Sequence, residues 1–202
     1  MKSFGPDWLE LVNSGSELAD ERSVSVHAFA DESRRNNTYL LAVALVSPGQ
    51  LTKLRKLLMG LRMPNQRELH FKKETPARRK QILSALASAV VHVDIYLACC
   101  RKGEERARQA CVARLTEDVL KVGVTRLVFD SREVRDDHDL LTIRTTLGRS
   151  AWGTGLFYEH LPSENDPLLW IPDIVAWCYG AGGDWLRRVR PLMGDVIDTR
   201  KP

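Results

Sequence analysis

Four carboxylates in this 202-residue chain stand where folding alone does not ask for an acid. Asp31 and Asp130 each close an apolar, strand-like run, in FADES and VFDSR. Asp173 follows Pro172 in the apolar stretch LLWIPDIVAWCY, and Glu68 sits in ELH within a basic segment. A lone carboxylate in apolar surroundings is costly unless it is paired, hydrogen-bonded or metal-bound. If the two strand ends are neighbours and the Asp173 helix packs across them, three carboxylates converge and need a cation to stay ionised. Oxygen-only ligands select Mg²⁺ or Mn²⁺. Two such ions about 3.5–4 Å apart are the apparatus of phosphodiester hydrolysis. Taken singly, each acid has a plainer role. Asp31 and Glu32 can end a strand in solvent, Asp130 can cap a turn, and Asp173 can be a helix N-terminal acid.

The elements that must position these acids follow from hydrophobic period. Val24, Val26, Ala28 and Ala30 alternate with Ser25 and His27, which predicts a strand with one buried face. Arg34 to Asn37 reads as a turn, and Tyr39 to Val46 as a central strand. Leu51, Leu54, Leu57, Leu58 and Leu61 recur at helical spacing until Pro64-Asn65. In the short segment that follows, Glu68, His70 and Lys72 share one face if the backbone is extended. Thr75-Pro76 opens a helix as N-cap and first residue. Strands are then predicted at Val90–Cys100, Arg126–Phe129 and Leu156–His160, and helices at Glu104–Val122, Val134–Leu147 and Leu168–Tyr179. Helices alternating with strands after an opening hairpin give a three-layer α/β fold with a mixed central β-sheet. Residues 1–22 read as a lead packed on the core through Trp8, Leu9 and Leu11, and 23–202 as a single domain. Trp8 and Leu9 could equally serve a homodimer.

Composition narrows the class. A 44% hydrophobic and 28% charged chain is ordinary for a soluble globular protein. No apolar run is long enough to span a bilayer, so no membrane partner is expected. Cys99, Cys100, Cys111 and Cys178 show neither CxxC spacing nor a nearby histidine pair, which argues against zinc and makes a reducing, cytoplasmic setting the default. The net charge of +4 says little, but its distribution says more. Ten basic residues lie between Lys53 and Lys80, opposed only by Glu68 and Glu74. That excess suits a polyanion such as nucleic acid, or else a pair of solvated helix faces.

FADES, ELH, VFDSR and IPDIVAW, in that order, resemble the motifs of the domain-of-unknown-function 3800 family, part of the ribonuclease H-like superfamily. The resemblance runs from about Val24 to Tyr179. It implies a ribonuclease H-like fold with metal-binding acids at Asp31, Glu68, Asp130 and Asp173. It also implies that His70 positions substrate or shuttles a proton, and that Lys72, Lys73, Arg132 and Arg34 contact phosphate. Two departures stand out. Arg34 replaces the glycine often found after Asp-Glu-Ser, and Pro172 replaces the usual alanine before Asp173, so that the helix could begin there. Glu32, Glu133 and Asp136 are further acids that could substitute for Glu68.

The expected activity is that of a divalent-metal-dependent nuclease acting on RNA, DNA or a hybrid, with RNA or an RNA–DNA hybrid favoured. A catalytically silent nucleic-acid- or protein-binding module on the same fold is the alternative. A haloacid dehalogenase-like phosphatase needs a second aspartate where Ser33 stands. Neither GxxxxGK[ST] nor GxGxxG occurs, which leaves P-loop and Rossmann sites without support.

Overall fold

The computed structural model describes residues 25–200. The expected lead over residues 1–22 lies outside them. Strand β1 (Val26–Arg35) and β2 (Thr38–Val46) form the opening hairpin, followed by helix α1 (Pro48–Leu61) and helix α2 (Pro76–Leu86). Then come β3 (His92–Cys99), α3 (Glu104–Lys121), β4 (Val124–Asp130), α4 (Asp136–Leu147) and β5 (Phe157–Leu161). The chain closes with α5 (Trp170–Ala181), α6 (Gly183–Val189) and β6 (Met193–Asp198). Among the described residues no helix is long and apolar enough to cross a membrane.

The six strands form one mixed sheet in the order β5-β4-β1-β2-β3-β6. The pairs β1/β2 and β2/β3 are antiparallel, whereas β1/β4, β4/β5 and β3/β6 are parallel. One face packs Phe29, Leu40, Ala42 and Val128 against α1, α2 and α5. The other packs Ala28, Ala30, Leu41 and Phe129 against α3 and α4. The three-layer α/β architecture expected from the sequence is present. Strand β1, however, is buried on both faces, because it lies in the middle of the sheet between β2 and β4.

Four local features differ from the expectation. Arg34 and Arg35 belong to β1, opposite Tyr39 and Thr38, and only Asn36-Asn37 turns, with Asn36 at φ 52°. Asparagine tolerates that left-handed backbone, so the hairpin needs no glycine. The segment after Gln66 is not a strand. It ends in a single 3₁₀ turn at Phe71–Lys73, closed by the Glu74 amide on the Phe71 carbonyl, and Thr75 then caps α2, its hydroxyl accepting from the Arg78 amide at 3.3 Å. Helix α5 starts at Trp170 rather than at Pro172, since a proline in the first turn removes an N–H that has no helical acceptor. Strand β6, not foreseen in the sequence, closes the β3 edge.

Candidate active site

Asp31 and Asp130 come together through strand register. The parallel pairing of β1 and β4 ends at Ala30 with Phe129, and each aspartate is the next residue along. Side chains alternate across a sheet, so Asp31 follows Phe29 toward α5 while Glu32 follows Ala30 toward α3. Helix α5 packs on β1 and β2 and brings Asp173 in its first turn to the same place. The loop before Phe71 supplies Glu68 and His70. All four acids and His70 line one cavity of about 110 Å³, with Glu32, Arg132 and Ser163 also in its wall. That is room for a few water-sized ligands.

The acids are held chiefly by neutral donors. The Glu32 amide donates to Asp31 Oδ1 at 2.7 Å, the Phe71 amide to Asp173, and the Ser163 amide to Asp130. The Ser163 hydroxyl donates to Glu68, and His70 Nε2 lies 3.2 Å from Glu68 Oε1. Ser163 is itself pinned, because Trp170 Nε1 donates to its carbonyl at 2.8 Å. Ser163 therefore organises two of the four acids, and nothing in the polar connection Pro162–Pro167 marks it as doing so.

Electrostatics agree with crowded, under-neutralised acids. Asp31 is only 8% exposed, and burial, reinforced by Asp173, Asp130 and Glu32, pushes its carboxyl well above the usual range. Burial raises Asp130 to about 6, with Glu32 and Glu68 adding to the rise and Arg132 opposing it. Asp173 is raised by burial too, against the Phe71 amide and His70.

Glu32 belongs to a different arrangement. Its carboxylate meets Arg108, and Arg132 Nε at 3.0 Å. Arg108 is fully buried and also reaches the Tyr39 hydroxyl at 2.8 Å and both oxygens of Asp139. His160 Nε2 lies 3.0 Å from Asp139 while its ring stacks on Phe129. This network was missed in the sequence. A signal was available: Arg108 sits four residues before Val112 and seven before Leu115, on the buried stripe of α3, where a cation requires acid partners.

The other expected residues are placed as follows. Arg132 lines the cavity. Lys72 and Lys73 are exposed on the 3₁₀ turn just beyond His70, outside the cavity wall. Arg34 points to the α3 side and pairs with Glu104 at 2.8 Å. Asp136 accepts from the Ser131 hydroxyl and the Arg132 amide, and Glu133 is exposed. The basic run is divided. Arg55 binds Asp166 through two bonds, Arg62 the Arg67 carbonyl, and Arg78 the Leu61 carbonyl. Arg79 donates to the Phe71 and Lys72 carbonyls while lying 4.2 Å over Trp177. The five lysines, Lys53, Lys56, Lys72, Lys73 and Lys80, remain exposed.

The donor set suits a hard divalent cation. Once Glu32 is counted with Arg108 and Arg132, the other four carboxylates have, among the described residues, only His70 within ion-pair distance, at Glu68, while Arg132 acts on Asp130 and Asp173 from further off. Among the described residues, no group of three or more His, Cys, Asp or Glu side chains already stands in a metal-holding arrangement. Ion binding would have to draw the carboxylates closer together.

No family model matches the chain, and no curated protein does. The resemblance to the domain-of-unknown-function 3800 family is therefore one of short motifs alone. Among solved structures, the chain is similar to ribonuclease HII of Archaeoglobus fulgidus, determined in complex with PCNA. The match has 15% identity and a TM-score of 0.50 and covers 84% of this chain and 76% of that one. The fold is ribonuclease H-like.

Proposed function

We propose that the protein is a divalent-metal-dependent nuclease that hydrolyses phosphodiester bonds, with RNA or an RNA–DNA hybrid as the favoured substrate. The observation that carries this reading is the convergence of Asp31, Glu68, Asp130 and Asp173, from four separate segments, on one small cavity. The ribonuclease HII-like fold and the resemblance to the domain-of-unknown-function 3800 family support it.

Asp31, Glu68, Asp130 and Asp173 would hold Mg²⁺ or Mn²⁺. Such ions supply Lewis acidity, acidifying an attacking water and stabilising the departing oxygen. The chain's own residues do the rest. Arg132, fixed at its Nε by Glu32, leaves its terminal amino groups for phosphate oxygens at the cavity rim. Exposed His70, oriented by Glu68 at Nε2, can take or give a proton at Nδ1. Ser163 holds Glu68 and Asp130 in place from the cavity wall. Lys72 and Lys73 would contact the backbone outside the cavity.

A silent binding module is the second reading, and the observation that favours it is that the acids, among the described residues, do not stand in a three-ligand arrangement. The test is cleavage of labelled single-stranded RNA, single-stranded DNA, duplexes and an RNA–DNA hybrid in Mn²⁺, Mg²⁺ or chelator. Metal-dependent cutting supports the nuclease and identifies its substrate. Binding without cutting in any metal supports the module.

A further inference from the structure

A second concavity, of about 380 Å³, opens at the far end of β3 against the start of α3. Its wall carries four cations, Arg101, Lys102, Arg106 and Arg200, and no acid. Arg101, Lys102 and Arg106 are exposed and make no ion pair among the described residues, while Arg200 is engaged by Asp198 at 2.6 Å. Of the nearby acids, Glu104 is already paired and, among the described residues, Glu105 faces only a histidine. Glu104 takes Arg34 at 2.8 Å and Arg135 at 2.9 Å, and Glu105 lies 3.2 Å from His138. The N-cap of α3 is Gly103, which offers no side-chain cap, so first-turn amides add positive potential that Glu104 and Glu105 in the same turn partly offset. Arg106 and Ala110 continue the wall into a shallower groove along α3 and α4.

The concavity shares no lining residue with the acid cavity and opens on the α3 side of the sheet, at the same strand ends. Charged side chains run between the two: Arg132 lines the acid cavity, Arg135 follows three residues on, and Glu104, two residues after Lys102 and two before Arg106, joins Arg135 to Arg34. The row Asp31, Ala42, Ile95 crosses the sheet, and Cys99 lies four residues further along β3. From strand spacing and rise, the concavity is then roughly 15 Å from Asp31. That span corresponds to about four base steps of a duplex strand.

We propose that Arg101, Lys102, Arg106 and Arg200 form a phosphate-binding subsite that grips the backbone of a nucleic-acid strand about four steps from the acids. The identity of the strand as substrate rests on the nuclease reading, whereas its binding here does not require turnover. Three exposed cations without acid partners around a concavity are matched by successive backbone phosphates. Each contact that forms releases counterions.

The test is fluorescence anisotropy of labelled oligonucleotides, in chelator and over a salt series. It uses the wild type, Arg101→Ala/Lys102→Ala/Arg106→Ala, and a charge-matched Lys53→Ala/Lys56→Ala/Lys80→Ala control, with melting curves to confirm folding. The subsite predicts roughly ten-fold weaker binding for the first triple variant, a salt slope shallower by about 2, and a much smaller change in the control. Equal losses in the two triple variants, or none, would overturn it. So would displacement of the strand by inorganic phosphate as readily as by unlabelled oligonucleotide at matched ionic strength. Tight, pocket-dependent binding by a wild type that cuts nothing in Mn²⁺ would refute the nuclease and leave the subsite standing.

Discussion

Asp31 and Asp130 stand on parallel neighbouring strands, each one residue past the last paired rung, Ala30 with Phe129. Their carboxyls share a buried corner in which the ionised forms repel, and both are pushed upward. The fold therefore carries a local electrostatic cost wherever no cation offsets it.

For Asp130 the sign is definite. Its carboxyl is raised to about 6 in the folded protein, above the unfolded value, so ionisation penalises the native state. The penalty is full above about pH 6 and vanishes as pH falls to the unfolded pKa near 4. Asp130→Asn is expected to raise the melting temperature of metal-free protein at about pH 8 by about 2–4 °C, equivalent to about 1 kcal/mol after solvent screening. The gain should be absent at about pH 4. Thermal melts across pH check this, and a destabilised variant at alkaline pH would contradict it.

Metal should act as the missing counter-charge. Saturating Mn²⁺ is expected to raise the melting temperature by about 5–10 °C at neutral pH. The effect should fade below about pH 6, as protons compete for the carboxylates. Asp31→Asn and Asp173→Asn should each remove most of it. Equal metal-induced shifts in wild type and variants would place the ions elsewhere.

Arg108 is the structural counterpart. Replacing it with methionine removes the guanidinium that Glu32 and Asp139 share and leaves them only Arg132 and His160, which should cost about 3–5 kcal/mol and lower the melting temperature by about 10 °C or more. Adding Asp139→Leu should restore part of the loss. Urea unfolding of the single and double variants measures both.

Arg79 fastens the turn that follows His70, through two carbonyls and the face of Trp177. Arg79→Met should cost about 1–3 kcal/mol in stability. At a temperature where the variant stays folded, its cleavage rate should still fall about ten-fold, because Glu68 and His70 lose their anchor. A rate that merely tracks the folded fraction would assign Arg79 to stability alone.

The sequence made much of this legible. Asp31, Asp130 and Asp173 declare themselves because each is an acid set against an apolar run, and Glu68 because it breaks a basic one. The alternation of strands and helices gave the three layers. What stayed hidden depends on long-range partners. Arg55, Arg78 and Arg79 look like a nucleic-acid surface until Asp166 and the Leu61, Phe71 and Lys72 carbonyls are seen to hold them. Arg34 reads as a turn residue because the hairpin needs only Asn36 and Asn37 to reverse. Strand β6 is half-exposed, so its apolar pattern is faint. Ser163 is one polar residue among several, and only its contacts single it out.

The most direct test of the central claim is single-turnover cleavage in Mn²⁺ by the wild type, Asp31→Asn and Asp130→Asn, on whichever nucleic acid the substrate panel selects. The convergent acids predict cutting by the wild type that chelator stops, and a loss of at least about a thousand-fold in each variant while strand binding persists. Metal-dependent cutting that survives both substitutions would contradict the site, because no active centre built on these carboxylates could tolerate losing Asp31 or Asp130.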